Sequence, residues 1–172
     1  IAPASLEITV LGAGDAETHT TEQQIWFDGF EADTWTASGS WKTSTIADVI
    51  AEYGTDRRHA FTRASGRIAV AESAKAAFDG ALTSAPIAVT PGDALELRLD
   101  SHYRKRGGAQ QGTVTVSFDD GTQTVLRALS DADEESAQLR LPFSVPAGAK
   151  AMTVRVDFEA AGHWLEQAQA VR

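Results

Sequence analysis

The sequence predicts an all-β fold, an antiparallel β-sandwich of jelly-roll type carrying one short helix. Gly112 to Phe118 and Thr122 to Leu129 alternate apolar and polar residues around Asp119-Asp120-Gly121. Alternation about an Asp-Gly turn is the strongest short-range hairpin signal, and it puts one face of a sheet in a core and the other in solvent. Similar short runs recur along the chain, separated by clusters such as Thr90-Pro91-Gly92-Asp93 and Val145-Pro146-Ala147-Gly148. Many short strands at that spacing suit a sandwich better than an α/β fold.

Leu6 to Val10 alternate as a strand, and the polar tract Gly12 to Gln24 reads as a linker or exposed loop. The expected division is therefore an N-terminal strand and linker over 1–24 and a sandwich over 25–172. Ile25 to Glu31 and Thr34 to Trp41 are short aromatic strands. Ser44 or Thr45 can cap a helix whose stripe is Ile46, Val49, Ile50 and Tyr53, with Gly54 as its stop. A second helical turn is expected over Ser73 to Phe78. The remaining expected strands are His59–Ala64, Arg67–Ala71, Ala81–Val89, Ala94–His102, Ala137–Val145, Ala151–Glu159 and Trp164–Val171, with the hairpin pair already described.

Composition narrows the function. A chain of 172 residues suits one domain. Lys and Arg number 15 against 24 Asp and Glu, a formal charge of −9. That surface repels phosphate backbones and anionic lipid, so neither nucleic acid nor membrane is an expected partner. Without cysteine there is no disulfide, thiolate nucleophile or cysteine-held metal. The longest apolar runs are too short for a membrane-spanning helix. The chain opens on Ile1 rather than Met, and is read as excised from a longer protein.

Several segments, in order, carry a family resemblance: Trp26-Phe27-Asp28-Gly29-Phe30-Glu31, Glu52 to Thr62, Gly66 to Glu72, Leu97 to Arg104, Gly112 to Gly121, and Gly162-His163-Trp164 with the closing strand. Together, over Trp26 to Val171, they resemble a β-sandwich module found at the C-terminus of exported bacterial calcineurin-like metallophosphoesterases and acid phosphatases. The resemblance implies an extracellular accessory module whose partner is an upstream catalytic domain of the parent hydrolase. The di-metal site of those enzymes uses GDxHG-like and GNHE-like runs, and His19, His59, His102 and His163 lie in none. An enzyme is therefore not expected. Related jelly rolls often close on tryptophan, a hydrophobic residue and Asp-Asn or Asp-Asp. Here Leu165-Glu166-Gln167 stands there, and Glu166 is longer than aspartate by a methylene.

Few residues suggest chemistry. Asp100-Ser101-His102-Tyr103-Arg104 is the densest polar–aromatic cluster. It reads either as a ligand patch at a strand end, with Tyr103 stacking and Arg104 pairing an anion, or as a strand running into a loop, the blander and commoner case. A Ser-His-Asp triad fails, because consecutive strand residues point to opposite faces. Trp35 and Trp41 either form an aromatic platform for sugar rings or fill the core, the more frequent use. Asp28, Glu31 and Glu166 would suit a structural Ca²⁺ if the first and last strands meet, although no dense ligand loop is present. Arg57, Arg58 and His59 follow the helix end, where cations complement its dipole. The expectation is a non-catalytic accessory module. The alternative is a stand-alone carbohydrate-binding module contacting glycan through Trp35, Trp41, Tyr103 and Arg104.

Overall fold

The computed structural model describes residues 6–11, 22–105, 109–130, 132–161 and 168–171. They form two antiparallel sheets. The strands are β1 (Leu6–Leu11), β2 (Glu22–Asp28), β3 (Thr36–Ala37), β4 (Lys42–Ser44), β5 (Ile68–Glu72), β6 (Phe78–Thr83) and β7 (Ile87–Ala88). They continue as β8 (Ala94–Tyr103), β9 (Gln110–Phe118), β10 (Gln123–Leu129), β11 (Glu134–Ser144), β12 (Ala151–Ala160) and β13 (Ala168–Val171). One sheet runs β2-β1-β8-β13-β5-β4 with β11 also on β8; the other runs β10-β9-β12-β6-β3 with β7 on β12. β11 pairs along the whole of β8, so β1 and β13 share its opposite edge, β1 against Leu95 to Leu99 and β13 against Ser101 and His102.

The expected division at residue 24 falls inside β2, and β1 lies between β2 and β8. The first strand is thus a hydrogen-bonded member of the sandwich, with Ile8 fully buried. Of the expected linker, Glu22 to Gln24 are strand and residues 12–21 lie outside the described residues.

The core lies between the sheets. Leu95, Leu97, Leu99 and Tyr103 of β8 face Val114, Val116, Met152, Val154, Val156 and Phe158 across it. The hairpin forms as expected. Gly121 N–H donates to Phe118 O at 3.0 Å and Phe118 N–H to Thr122 O at 2.8 Å. Gly121 takes φ 89, the left-handed position that a three-residue hairpin loop requires.

The helix α1 (Ile46–Tyr53) is capped by Thr45, whose Oγ1 accepts the Asp48 N–H at 3.1 Å, and stopped by Gly54 at φ 85. It lies on the outer face of the first sheet, where Val49, Phe61, Ile68 and Val70 form a second, smaller core. Ile68 and Val70 alternate with inward Ala69 and Ala71, so β5 is buried on both faces.

Two local expectations are corrected. His59 to Ala64 is not a strand: Arg58–Ala60 is a 3₁₀ turn, entered through Arg57 at φ 60, and a loop follows. Ser73 to Phe78 is not helical; bends lead into β6, which Phe78 begins.

Candidate functional site

The site is built on the end of β2. Trp26 sits opposite Ile8 in the ladder and shares its inward face, whereas Phe27, opposite Glu7, points outward. Phe27 is 43% exposed, and the other exposed large apolar side chain among the described residues is Val125. Asp28 ends the strand by bonding its own loop. Its Oδ1 accepts the Phe30 N–H at 2.7 Å, and its Oδ2 accepts the Thr34 hydroxyl at 2.6 Å, an Asx-type turn. Phe30 takes φ 61 and is buried, with its ring 5.3 Å from that of Trp35. On the facing loop, Arg67 N–H donates to Glu31 Oε1 at 2.9 Å. These bonds frame a groove of about 430 Å³ lined by Phe27, Asp28, Gly29, Glu31, Ala32, Thr34 and Ser65. That volume lies in the range of small-molecule sites.

The groove combines an exposed ring face, two carboxylates and two hydroxyls. It brings together Asp28 and Glu31; Glu166, the third expected calcium ligand, lies outside the described residues. Three oxygens of the two carboxylates already accept protein hydrogens, while calcium takes six to eight oxygen ligands. Among the described residues no three His, Cys, Asp or Glu side chains gather as a metal site. The two carboxylates alone therefore fall short of a calcium site.

Beside the groove, the outward face of the first sheet is ion-paired within itself. Glu96 Oε1 accepts from Arg98 Nε at 2.7 Å and Arg140 Nε at 2.8 Å, Arg98 reaches Glu22 at 2.5 Å, and Arg63 Nε reaches Asp100 at 2.6 Å. Burial works to raise the Glu96 carboxyl, but the bonds from Arg140 and Arg98 outweigh it and hold the group below its ordinary value.

The other expected contact residues are corrected by their burial. Trp35 is 9% and Trp41 5% exposed, and both belong to the main core. Trp35 packs on Phe30 and Trp26, and Trp41 packs edge-on to Phe78 at 5.9 Å. Neither ring presents the broad exposed face of a sugar platform. Both rings line a cavity of about 90 Å³ with Asp33, Lys42 and Thr43, and neither indole N–H has a hydrogen-bond partner among the described residues.

His102, Tyr103 and Arg104 are all buried; the first two lie on opposite faces of β8, and Arg104 directly follows the strand. Tyr103 lies in the core with its hydroxyl 3.4 Å from Gln110 O. His102, on the outer face, stacks on Phe61 at 5.5 Å, and its Nδ1 accepts the Ser136 N–H at 3.2 Å. Burial first, then the Arg104 charge, pushes His102 down to about 4, against the opposing pull of Glu135 and Asp133. Arg104 pairs with Asp133 at 3.0 Å. The strand therefore does not end in an open ligand patch: Phe61 covers His102 on its outer face, and Tyr103 is taken into the core on its inner one. Arg58 behaves as expected at a helix end, donating to Tyr53 O and Gly54 O at 3.0 and 2.9 Å.

Sequence reasoning passed over Phe27. The signal was present: in an alternating strand, an inward Trp26 implies an outward Phe27.

No family model matches the chain, and no curated protein matches it. Among solved structures, it is similar to TmCBM61 in complex with β-1,4-galactotriose, with TM-score 0.52 and 9% identity over 81% of this chain and 84% of that one. A C-terminal family 22 carbohydrate-binding module of Clostridium thermocellum Xyn10B aligns with TM-score 0.43 and 13% identity over 83% and 84% of the two chains. The first likeness is one of fold, and the chain is a mainly antiparallel β-sandwich of jelly-roll type with one helix. The expected relation to metallophosphoesterases finds no support in these structures.

Proposed function

We propose that the chain is a non-catalytic glycan-binding module and that the groove beside Phe27 holds the sugar. One observation carries this reading: a 43% exposed aromatic ring opens onto a groove edged by Asp28, Glu31, Thr34 and Ser65. A pyranose presents apolar C–H faces ringed by hydroxyls. Its face packs on an aromatic ring, and its hydroxyls donate to carboxylates, in bonds stronger than those between neutral groups. The fold it shares with a module solved with β-1,4-galactotriose supports the reading. So does the burial of His102 and Arg104, which withdraws them from chemistry on an outside substrate. A glycan-bound module would act outside the cell, holding whatever it is attached to near polysaccharide. The hydrolase partner expected from the sequence is not needed for this reading.

Calorimetry of the whole chain against a polysaccharide panel that includes β-1,4-galactan and xylan tests it. Saturable binding to at least one polymer is expected, weakened at least ~10-fold, or about 1.4 kcal/mol, by Phe27→Ala, with an unchanged melting midpoint. Binding to none, or undiminished binding by the variant, overturns the proposal.

A further inference from the structure

Resting on that reading, we infer that the groove takes uncharged glycan chains and rejects chains bearing carboxylate or sulfate groups. Its lining holds two carboxylates, Asp28 and Glu31, and no Lys or Arg. The guanidinium groups on the surrounding elements are turned elsewhere. Arg67, whose backbone bonds Glu31, sends its side chain to Thr43 O at 3.0 Å and Thr43 Oγ1 at 2.6 Å. Arg63, two residues before Ser65, is held by Asp100, and Arg98 by Glu22 and Glu96. An anionic sugar would therefore set its charge beside two fixed carboxylates, with no cation of the described residues lining the groove. Like charges brought together in a partly desolvated groove repel strongly. The net charge of −9 adds a longer-range barrier to approach.

For a neutral sugar the same carboxylates are an advantage. Each carboxylate oxygen carries two lone pairs, and Asp28 Oδ1, Asp28 Oδ2 and Glu31 Oε1 each accept one hydrogen from the protein. Acceptor capacity is left on both groups. The internal bonds also hold both side chains in place before any sugar arrives, which limits the ordering needed on binding. Sugar hydroxyls supply the matching donors; a uronate replaces one of those donors with another acceptor.

The test takes the neutral polymer that the wild-type chain binds best in the panel and prepares it in two forms, lightly carboxymethylated and hydroxyethylated to the same degree. The substituents are close in size and differ in charge. Affinity electrophoresis or calorimetry of the full chain at low salt should show the hydroxyethyl form bound nearly as the native polymer and the carboxymethyl form at least ~10-fold weaker. That gap should narrow in 0.5 M NaCl, as screening shortens the reach of the charges. Glu31→Gln, which keeps the oxygen facing Arg67 N–H, should also narrow it, and Asp28→Asn offers the same readout should the first variant fail to fold. Equal or tighter binding of the carboxymethyl form, or a gap that neither salt nor substitution changes, overturns this inference and leaves glycan binding standing. Failure of every neutral polymer to bind overturns the reading beneath it, and this one with it.

Discussion

Arg58 and Glu72 form an ion pair closed to water: Arg58 Nε and Nη2 each lie 3.0 Å from Glu72 Oε2, and the side chains are 1% and 2% exposed. The same guanidinium bonds the last carbonyls of α1, and Glu72 Oε1 accepts the Ala74 N–H at 3.0 Å. One charge pair thus fastens the helix end to β5 and fixes the start of the loop that carries Ser65 to the groove. Removing one partner strands the other charge in the interior, so Glu72→Ala should lower stability by about 3–5 kcal/mol. Replacing both, Arg58→Met with Glu72→Leu, should cost less than that single change. Urea unfolding of the two variants measures the difference.

His102 makes stability depend on pH in a defined window. The folded side chain stays neutral down to about 4, against an ordinary value of 6.5, because burial and then Arg104 oppose its charging more than Glu135 and Asp133 favour it. As pH falls from 6.5 towards 4, the unfolded chain takes up a proton that the folded chain refuses. Stability therefore falls over that interval, by at most about 3 kcal/mol from this group. Above 6.5 both states are neutral and the site adds no slope. Denaturation midpoints at pH 7 and pH 4.5 should differ more for wild type than for His102→Asn, whose amide oxygen can still face the Ser136 N–H.

The short strand β3 is held where two glycines cross. A Cβ on Gly80 would overlap Ser38 O, and one on Gly39 would overlap Asp79 O. The close approach lets Ser38 N–H donate to Ala81 O at 2.8 Å and Ser38 Oγ accept the Ala81 N–H at 2.9 Å. Gly80→Ala pushes β3 off the sheet edge and should cost about 1–3 kcal/mol, as overpacking does. Faster amide exchange at Ser38 and Ala81 is the accompanying signal. Unchanged stability and exchange would show that the crossing has room to relax.

Local signals made much of the fold legible. The helix is written in Thr45, its apolar stripe and Gly54, all within ten residues, and the hairpin in Asp119-Asp120-Gly121. Where long-range contacts decide, composition misleads. His59 to Ala64 looks like a strand, yet Arg58 is drawn inward by Glu72, fourteen residues further on, and a 3₁₀ turn results. Asp100 to Arg104 looks like an open strand end, yet Phe61 covers His102 and Arg63 bonds Asp100. The groove has the same character. Alternation exposes Phe27, but it takes a contact such as that between Glu31 and Arg67, 36 residues apart, to bring Ser65 beside it.

That contact yields the last prediction. Gly66 takes φ 70, a conformation that side chains disfavour, and a Cβ there would run into Glu31 Oε1. Gly66→Ala should cost about 1–2 kcal/mol from the left-handed backbone alone. The larger consequence falls on the groove. Glu31 is long and can swing away, so the overlap is relieved by giving up its bond to the Arg67 N–H, and the carboxylate is no longer held over the site. Glycan affinity should therefore drop several-fold in Gly66→Ala although residue 66 does not line the groove. Phe27, fixed by the β1–β2 ladder, keeps its place, so the variant should retain more affinity than Phe27→Ala. Calorimetry of both variants against one neutral polymer gives the order. An affinity equal to wild type, in a variant destabilised as expected, would mean that the fixed position of Glu31 contributes nothing to binding.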